Sequence, residues 1–337
     1  MRGTAKYILN RLLLLFPQVF LLATAIFVVI HVLPGDPVTA MLGTMARQET
    51  VEARRHQLGL DLPIHQQYVR YLKNLTQGDL GDSWRTGQPV LDDLIMRLPA
   101  TLELLILGMS IAVIVGVAVG VISAWWPGGI IDRATVLYTL LAGAMPEFYI
   151  GLIAIFIFYV VLHIAPHPAG RLDFTIPTPP RATGMYLIDS ALAGQWATFR
   201  NALAHLALPV LTLSFWQAGA VMKMTRSTML QIIDGEFIQY ARMIGLKPGI
   251  IRRYVLRNAL PPIISVTIII FAILLGAAVL VEQVFSWGGL GQYSVQSVIN
   301  ADYEAVMGFL FVVAVVSLFL FILLDITYVI IDPRLEL

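Results

Sequence analysis

Six stretches of this chain are almost wholly apolar, and the polar residues collect between them. Each stretch has about 20 or more residues, which is the length that an α-helix needs to cross a bilayer. We therefore predict six transmembrane helices, with a kink in the third where Pro146 and Glu147 interrupt it. The predicted spans are Leu12–Leu33, Thr101–Trp126, Val136–Ile164, Leu203–Met222, Ile263–Val284 and Val306–Ile331.

The polar segment 34–98 predicts an ordered insertion after the first span. Helix-like patterns run through Thr50–Leu58 and Gln66–Leu75, and a turn rich in Gly and Pro separates them. An amphipathic helix around Val90–Arg97 is expected to lead into the second span.

The segment Ala165–Arg200 has a different composition. It has five prolines up to Pro180 together with small polar residues, which predicts an irregular loop. The predicted organisation is then a first helix within 1–33, the insertion, a core of five helices at 99–331 and a tail at 332–337.

The segment 227–260, which we call the hairpin, is polar but patterned as a helix. Gly245 and Pro248 break this helix, and a second short helix is expected before Pro261 and Pro262 open the fifth span. A patterned amphipathic hairpin beside the membrane predicts a docking surface. Its apolar positions recur on one helical face at Met229, Ile233, Phe237, Ala241 and Ile244.

The overall composition supports a membrane protein. The chain is 58% hydrophobic and 13% charged, whereas soluble domains are about 45–50% apolar and about 25% charged. The net charge of +1 gives no electrostatic case for nucleic-acid binding. Cysteine is absent, so disulfides and thiolate metal sites are excluded. The first apolar run is too long for a signal peptide, and we predict an uncleaved span.

Lys and Arg predict the orientation in the membrane. The stretch Lys223–Asn258 has seven Lys or Arg residues, whereas the short segment Phe285–Glu304 has none. Cytoplasmic loops are enriched in Lys and Arg, so the hairpin and both termini are predicted to be cytoplasmic. The insertion 34–98 also has seven basic residues, but its eight acids and its length make it a weak guide.

The hairpin resembles the EAA motif of ABC-importer permeases. The motif is carried here by Glu236, Tyr240, Ala241, Gly245 and the trailing Leu256–Pro261. The whole chain is similar to the first-position permease of the dipeptide/oligopeptide/nickel importer family. The supporting marks, in order along the chain, are Leu33–Pro37, Gly78–Gly81 with Ser83, Ala100–Glu103, Met224–Ser227, Phe285–Gly291 and Asp332–Arg334.

The resemblance implies a type I ABC-importer transmembrane domain in the bacterial inner membrane. Two such permeases would form a heterodimeric pore above one or two kinds of ATPase subunit, and an extracytoplasmic binding protein would deliver the cargo. The hairpin's short helix would lie in a cleft on the ATPase. This chain would then bind no cofactor, and ATP and Mg²⁺ would belong to the ATPases. The chain departs from the family pattern at Arg242, where a small residue is common, and at Gly288, where proline is frequent.

The hairpin residues themselves suit contact with a partner. Glu236 offers an anion, and Phe237, Tyr240 and Ile244 offer apolar anchors. Ala241 and Gly245 are small and one turn apart, which would allow a partner backbone to approach. The alternative is a basic helix lying on the anionic inner leaflet. The chain has no phosphate-binding loop of the form GxxxxGK[ST], so nucleotide binding of that kind requires another subunit.

Ionisable residues inside predicted spans are candidates for function. Glu147, after Pro146, could line a translocation path and meet the amino group of a peptide; the alternative is a structural carboxylate. Glu103 and Glu282 are expected to reach the membrane interface, and Asp325 is expected to pack on the cytoplasmic side.

The loop 285–291 is similar to the extracytoplasmic gate region of the family. Trp287 is a candidate contact for the binding protein, with Gly289 and Gly291 beside it; the alternative is an ordinary interfacial tryptophan. His163 and His167 are four residues apart, but the intervening proline disrupts a shared helical face, so we predict no metal site.

These observations favour an importer permease for short peptides. Nickel complexes, glutathione, opines and sugars are alternative cargoes of the same class. An ion-coupled secondary transporter is the main alternative class, and an intramembrane enzyme would need a nucleophile–base pair that the spans do not suggest. Four small residues, Gly116, Gly120, Gly276 and Ala277, are predicted to allow close helix packing.

Overall fold

The computed structural model describes residues 2–32, 37–42 and 46–331, and in that part all regular elements are helices. Residues 34–36 of the early Pro-Gly-Asp motif and the tail 332–337 lie outside the described residues. The helices are α1 (Arg2–Val32), α2 (Pro37–Leu42), α3 (Gln48–Leu58), α4 (Ile64–Thr76), α5 (Val90–Trp125), α6 (Ile130–Ala144), α7 (Glu147–Ala154), α8 (Tyr186–Leu192), α9 (Trp196–Ile233), α10 (Glu236–Met243), α11 (Pro248–Val284), α12 (Leu290–Ile299) and α13 (Tyr303–Ile331).

Among the described residues, α1, α5, α9, α11 and α13 are long and apolar enough to cross a membrane. The third predicted span is divided: α6 and the helical stretch 147–161 are bent by 103° at the break between them. The interruption lies where Pro146 predicted a kink, but it is a complete break. Met145 and Pro146 are both extended, because a proline disfavours the helical conformation in the residue before it.

Several helices are longer than predicted. The amphipathic stretch 90–97 is continuous with the second span through Pro99, so it is not a separate helix. The expectation that Pro261 and Pro262 begin the fifth span is wrong, because α11 starts at Pro248 and passes through both. Proline is tolerated inside membrane helices where neighbouring groups satisfy the freed backbone.

The predicted helices of the insertion are confirmed as α3 and α4, but two predicted loops contain helices. Residues 186–192 form α8 and residues from 196 belong to α9, so the part of this segment from Tyr186 onward is mostly helical. Residues 290–299 form α12 within the segment predicted as a short loop. Local sequence did not reveal α12, because side chains from other helices cap its first turn.

In the described part of the chain, the most extensive helix contact joins α5 and α9. A Cβ atom added at Gly116 would lie 2.7 Å from the Val221 Cβ, and one at Gly120 would lie 2.7 Å from the Thr225 Cβ. Contacting positions rise in step along both helices, so the two helices are parallel. The predicted packing role of Gly116 and Gly120 is confirmed. The same prediction for Gly276 is wrong, because no described atom lies within 4 Å of where its Cβ would be.

The parallel pair gives the protein two distinct ends. At the hairpin end, Ala124 of α5 and Met229 of α9 share an apolar cluster with Ile238 of α10. At the far end, Val90 of α5 packs in a cluster with Leu290 of α12. Each end therefore has its own core, and α5 extends between them.

Replacing Gly116 with Ala should destabilise the protein by about 1–3 kcal/mol, because the new methyl group would overlap Val221. Gly276→Ala is the matched control, since that methyl group enters open space and gains helix propensity of up to about 1 kcal/mol. Thermal unfolding of the solubilised protein would measure both. Equal transition temperatures for the two variants would contradict the packing described for α5 and α9.

Candidate functional site

The hairpin is built from two helices and a tight turn. The prediction of one continuous helix from Met229 to Ile244 is wrong, because α9 ends at Ile233 and α10 begins at Glu236. Asp234 and Gly235, which separate them, are poor helix formers. The turn brings Ile238 into contact with the cluster that contains Met229.

The end of α10 is fixed by a glycine-dependent cap. Gly245 has a φ of +75°, a left-handed conformation that costs a side-chain-bearing residue about 1–2 kcal/mol. Its N–H donates to the Arg242 carbonyl at 3.0 Å, and the Leu246 N–H donates to the Ala241 carbonyl at 3.1 Å. These two bonds form a Schellman motif. The Gly245 break is thus confirmed, and its cause is backbone geometry.

The two faces of α10 have different surroundings. Ile238 and Ala241 are buried on the protein's own core, whereas Phe237 and Tyr240 are 61% and 59% exposed. The expectation that Ala241 admits a partner backbone is therefore wrong. The exposed face continues through Met243, which sequence reasoning missed although it lies three residues after Tyr240. We call the exposed apolar residues Phe237, Tyr240, Met243 and Ile244 the hairpin patch.

Charged and small residues surround the hairpin patch. Glu236, Arg242 and Gly245 are all exposed, so a partner could reach each of them. No described atom lies within 4 Å of where a Gly245 side chain would start. On α11, the Arg252 guanidinium lies 5.8 Å from the centre of the Trp125 ring. The patch is therefore an apolar surface with charged neighbours of both signs.

A partly buried ion pair supports the hairpin end. Arg226 of α9 donates to both carboxylate oxygens of Asp132, at the start of α6, and the second bond measures 3.1 Å. The Ser123 hydroxyl of α5 and the Gly128 N–H also donate to Asp132. This network joins three helices next to the hairpin. It was missed because Asp132 and Arg226 are far apart in sequence.

At the far end, Glu282 caps α12. Its carboxylate is fully buried and accepts bonds from the Thr101 hydroxyl at 2.6 Å and the Gly291 N–H at 2.8 Å. The N-terminus of a helix favours an anion, so the carboxylate stabilises α12. The expectation that Glu282 reaches the interface is wrong. Gly289 and Gly291 have no room for side chains, since added Cβ atoms would lie 2.5 Å from Glu282 and 2.6 Å from the Val279 Cα.

Trp287 and Glu103 are also buried at the far end. Trp287 is 1% exposed, and its indole N–H donates to the Ala100 carbonyl at 3.0 Å. The predictions of a binding-protein contact or an interfacial tryptophan are both wrong for this conformation, because the ring is enclosed by the core. Gly288 beside it has a φ of +78°, which a proline could not adopt.

Glu103 was expected at the interface but forms a buried ion pair. Arg171 donates to the Glu103 carboxylate at 2.6 Å and to the Gly184 carbonyl at 3.1 Å. The guanidinium also lies 3.5 Å from the centre of the Tyr186 ring. A segment predicted as a loose loop is thereby fixed to α5.

Asp189 orders the turn that precedes α8. Burial by itself would raise the pKa of its carboxyl, but bonds from the Thr183 N–H and hydroxyl and the Gly184 N–H outweigh burial. The pKa of Asp189 therefore lies below its usual value. The charged carboxylate of Asp189 thus fixes the turn at Thr183 and Gly184, which lies at the far end.

Glu147 contacts Gln217 inside the membrane-spanning region. The Gln217 side-chain N–H donates to the Glu147 carboxylate over 3.5 Å, and Gln217 is 1% exposed. Pro146 beside them is exposed. A role of Glu147 and Pro146 in a translocation path stays a prediction.

Comparisons with known proteins agree with this architecture. Residues 116–337 match the family described as the inner membrane component of binding-protein-dependent transport systems, and residues 4–105 match the N-terminal part of its membrane component. The chain is 42% identical to the probable D,D-dipeptide transport system permease protein of Escherichia coli, covering 92% of this chain and 91% of that protein. It is 36% identical to the di/tripeptide transport system permease protein of Pseudomonas aeruginosa, covering 98% of each. It is 34% identical to the dipeptide transport system permease protein of Escherichia coli, also covering 98% of each.

Replacing Arg171 with Met should destabilise the protein by about 3–5 kcal/mol, because the Glu103 carboxylate would remain buried without its counter-charge. The double variant Arg171→Met/Glu103→Gln should be less destabilised than Arg171→Met alone. Arg200→Met, at an exposed site, should change stability by less than about 0.5 kcal/mol. Thermal unfolding would measure all three, and a double variant no more stable than Arg171→Met alone would refute the pairing.

Proposed function

The chain belongs to the family of inner membrane components of binding-protein-dependent transport systems, and from this membership we propose that it forms half of the pore of an ATP-driven importer. The other half would be a second, related permease. Short peptides delivered by an extracytoplasmic binding protein would be the cargo. The names of the three relatives, which concern D,D-dipeptides, di- and tripeptides and dipeptides, support this cargo.

The hairpin patch is the observation that carries the proposal. Three exposed side chains of the hairpin patch lie on α10 and the fourth, Ile244, caps it. Exposed apolar patches usually mark interaction sites. The buried face of α10 and the Gly245 cap hold these side chains in one orientation, which lowers the entropy lost on binding. Aromatic residues such as Phe237 and Tyr240 are typical anchors of protein interfaces. We infer that the partner is the ATPase subunit.

The rigid support of the hairpin fits a mechanical role. Ile238 packs in one cluster with residues of α5, α9 and α11, and the Asp132–Arg226 pair ties α6 to α9 nearby. A force applied to α10 by closure of the ATPase pair would therefore act on four pore helices together. The chain itself would hydrolyse no ATP, since it has no phosphate-binding loop of the Walker type.

The orientation follows from the same proposal. ATPase subunits of this kind are cytoplasmic, so the hairpin end would face the cytoplasm and the far end the outside. The Lys and Arg distribution supports this assignment and places both termini in the cytoplasm. Nickel complexes, glutathione, opines and sugars remain cargoes to be compared in the same transport assay. An ion-coupled transporter would take up cargo without any ATPase.

The double variant Phe237→Ala/Tyr240→Ala should insert and fold but lose the ATPase. We expect ATPase affinity to fall at least about 30-fold, which corresponds to about 2 kcal/mol for lost aromatic anchors. Co-purification of ATPase with the permease pair would measure it. Trp196→Ala is the matched control, because Trp196 is 60% exposed but lies at the far end. Unchanged ATPase recovery in the double variant would contradict the proposal that the hairpin patch binds the ATPase.

Charge reversal at Glu236 tests whether ATP hydrolysis is coupled to uptake, separately from whether the ATPase binds. Glu236→Lys is expected to leave insertion intact while ATP hydrolysis no longer drives uptake, because the exposed carboxylate would face a cationic partner group. Gly245→Trp should have a similar effect by disturbing the cap of α10. Reconstituted vesicles allow hydrolysis and uptake to be measured side by side. Wild-type ratios of uptake to hydrolysis in both variants would contradict a coupling role.

A further inference from the structure

Two polar side chains meet at the break between α6 and α7. Glu147 is the first residue of α7, and Gln217 lies in the middle part of α9. The Gln217 side-chain N–H points to the Glu147 carboxylate over a long 3.5 Å contact. Most of the surrounding spans are apolar, so this polar pair requires an explanation.

With Glu147 ionised, the pair has more acceptors than donors. Glu147 Oε2 and Gln217 Oε1 are both buried, and neither has a hydrogen-bond partner in the described part of the chain. Buried acceptors without donors are uncommon and costly. Rotating the Gln217 amide would not help, because its oxygen would then face the carboxylate. The missing donor must therefore come from outside these two side chains.

The neighbouring groups hold the pair in place without supplying that donor. On α6, the Tyr138 hydroxyl already donates to the Phe215 backbone carbonyl, and Ala142 packs closely on Gly219 of α9. On α7, Gly151 packs against Thr212. Contacts on both sides of the break thus fix α6 and α7 against the same face of α9. The site is built by three elements.

The electrostatics favour a cation as the missing donor. The first residue of a helix lies at the positive end of its dipole, which favours a charged carboxylate at Glu147. An ammonium group has a positive charge and three N–H donors, enough to satisfy both free oxygens. A hydroxyl has one donor and no charge. The pair is therefore matched best by a primary ammonium group.

We propose that Glu147 and Gln217 bind the α-ammonium group of a peptide during its passage through the pore. This inference rests on the proposed import of peptides and adds the chemical group that the path recognises. The oxygens are enclosed in the present conformation, so binding requires the break between α6 and α7 to open. Pro146, at this break, is exposed.

Glu147→Gln separates this role from a structural one. The new amide would donate to Gln217 Oε1, so the variant should unfold at or above the wild-type temperature. The negative charge would be lost, and a hydrogen bond to a charged group is worth roughly tenfold or more in binding. Gln217→Leu should give a smaller loss. Tyr149→Phe, in the same short helix and 48% exposed at this residue, is the control.

The assay uses the complete importer with its binding protein, reconstituted into vesicles with ATP inside. Initial uptake of labelled Ala-Ala is compared with that of lactyl-alanine, in which a hydroxyl replaces the ammonium group. Each variant is scored by its ratio of the two turnover numbers. The same binding protein serves every variant, so its own preference cancels when variants are compared. Glu147→Gln should lower the wild-type ratio about tenfold, and Tyr149→Phe should leave it unchanged.

Three results would overturn the inference. Uptake of Ala-Ala by Glu147→Gln at the wild-type rate would mean that the carboxylate is not used. An equal loss for both compounds would assign Glu147 to structure, because a merely structural change does not distinguish an ammonium group from a hydroxyl. If the wild type takes up neither compound, the proposed peptide function fails first, and the inference fails with it.

Discussion

The close contact between α5 and α9 is the constraint on which the rest of the structure depends. Gly116 and Gly120 let the two backbones approach so closely that even a methyl group would overlap the opposite helix. Between helices in a membrane, packing of this kind replaces the hydrophobic effect as the main source of association. Because the two helices are parallel, the chain between them must return across the membrane, and it does so through the broken pair α6 and α7.

Buried polar groups extend this parallel pair at both ends. Asp132 and Arg226 join α6 to α9 at the hairpin end, while Glu282 and Thr101 cap α12 at the far end. Such groups fix the relative positions of the helices that they join, because a buried polar atom that loses its partner costs free energy of folding. Each end is therefore a defined surface attached to the same two helices, which suits a protein that we propose to be moved from one side and loaded from the other.

Helix α9 connects the two sites that we assign to function. Gln217 contacts Glu147, and the helix ends at Ile233, where the hairpin begins. Gln217 and Ile233 are 16 positions apart, which corresponds to about 24 Å along the helix at about 1.5 Å per residue. A rotation of α9 driven at the hairpin would thus change the contact at Glu147. Helix α9 would in this way link the movement of the ATPase to the release of the cargo.

The sequence by itself determined the membrane spans, the hairpin and its glycine cap, because apolar length and backbone preference are local properties. It also identified Gly116 and Gly120, whose spacing is visible in one helix. Only the tertiary structure decided which helices are parallel and that α12 forms at all. It also decided that Trp287, Glu103 and Glu282 are buried and that Gln217 meets Glu147. The physical reason is that the partners of these groups are mostly tens to hundreds of residues away, and no local pattern encodes a contact across that distance.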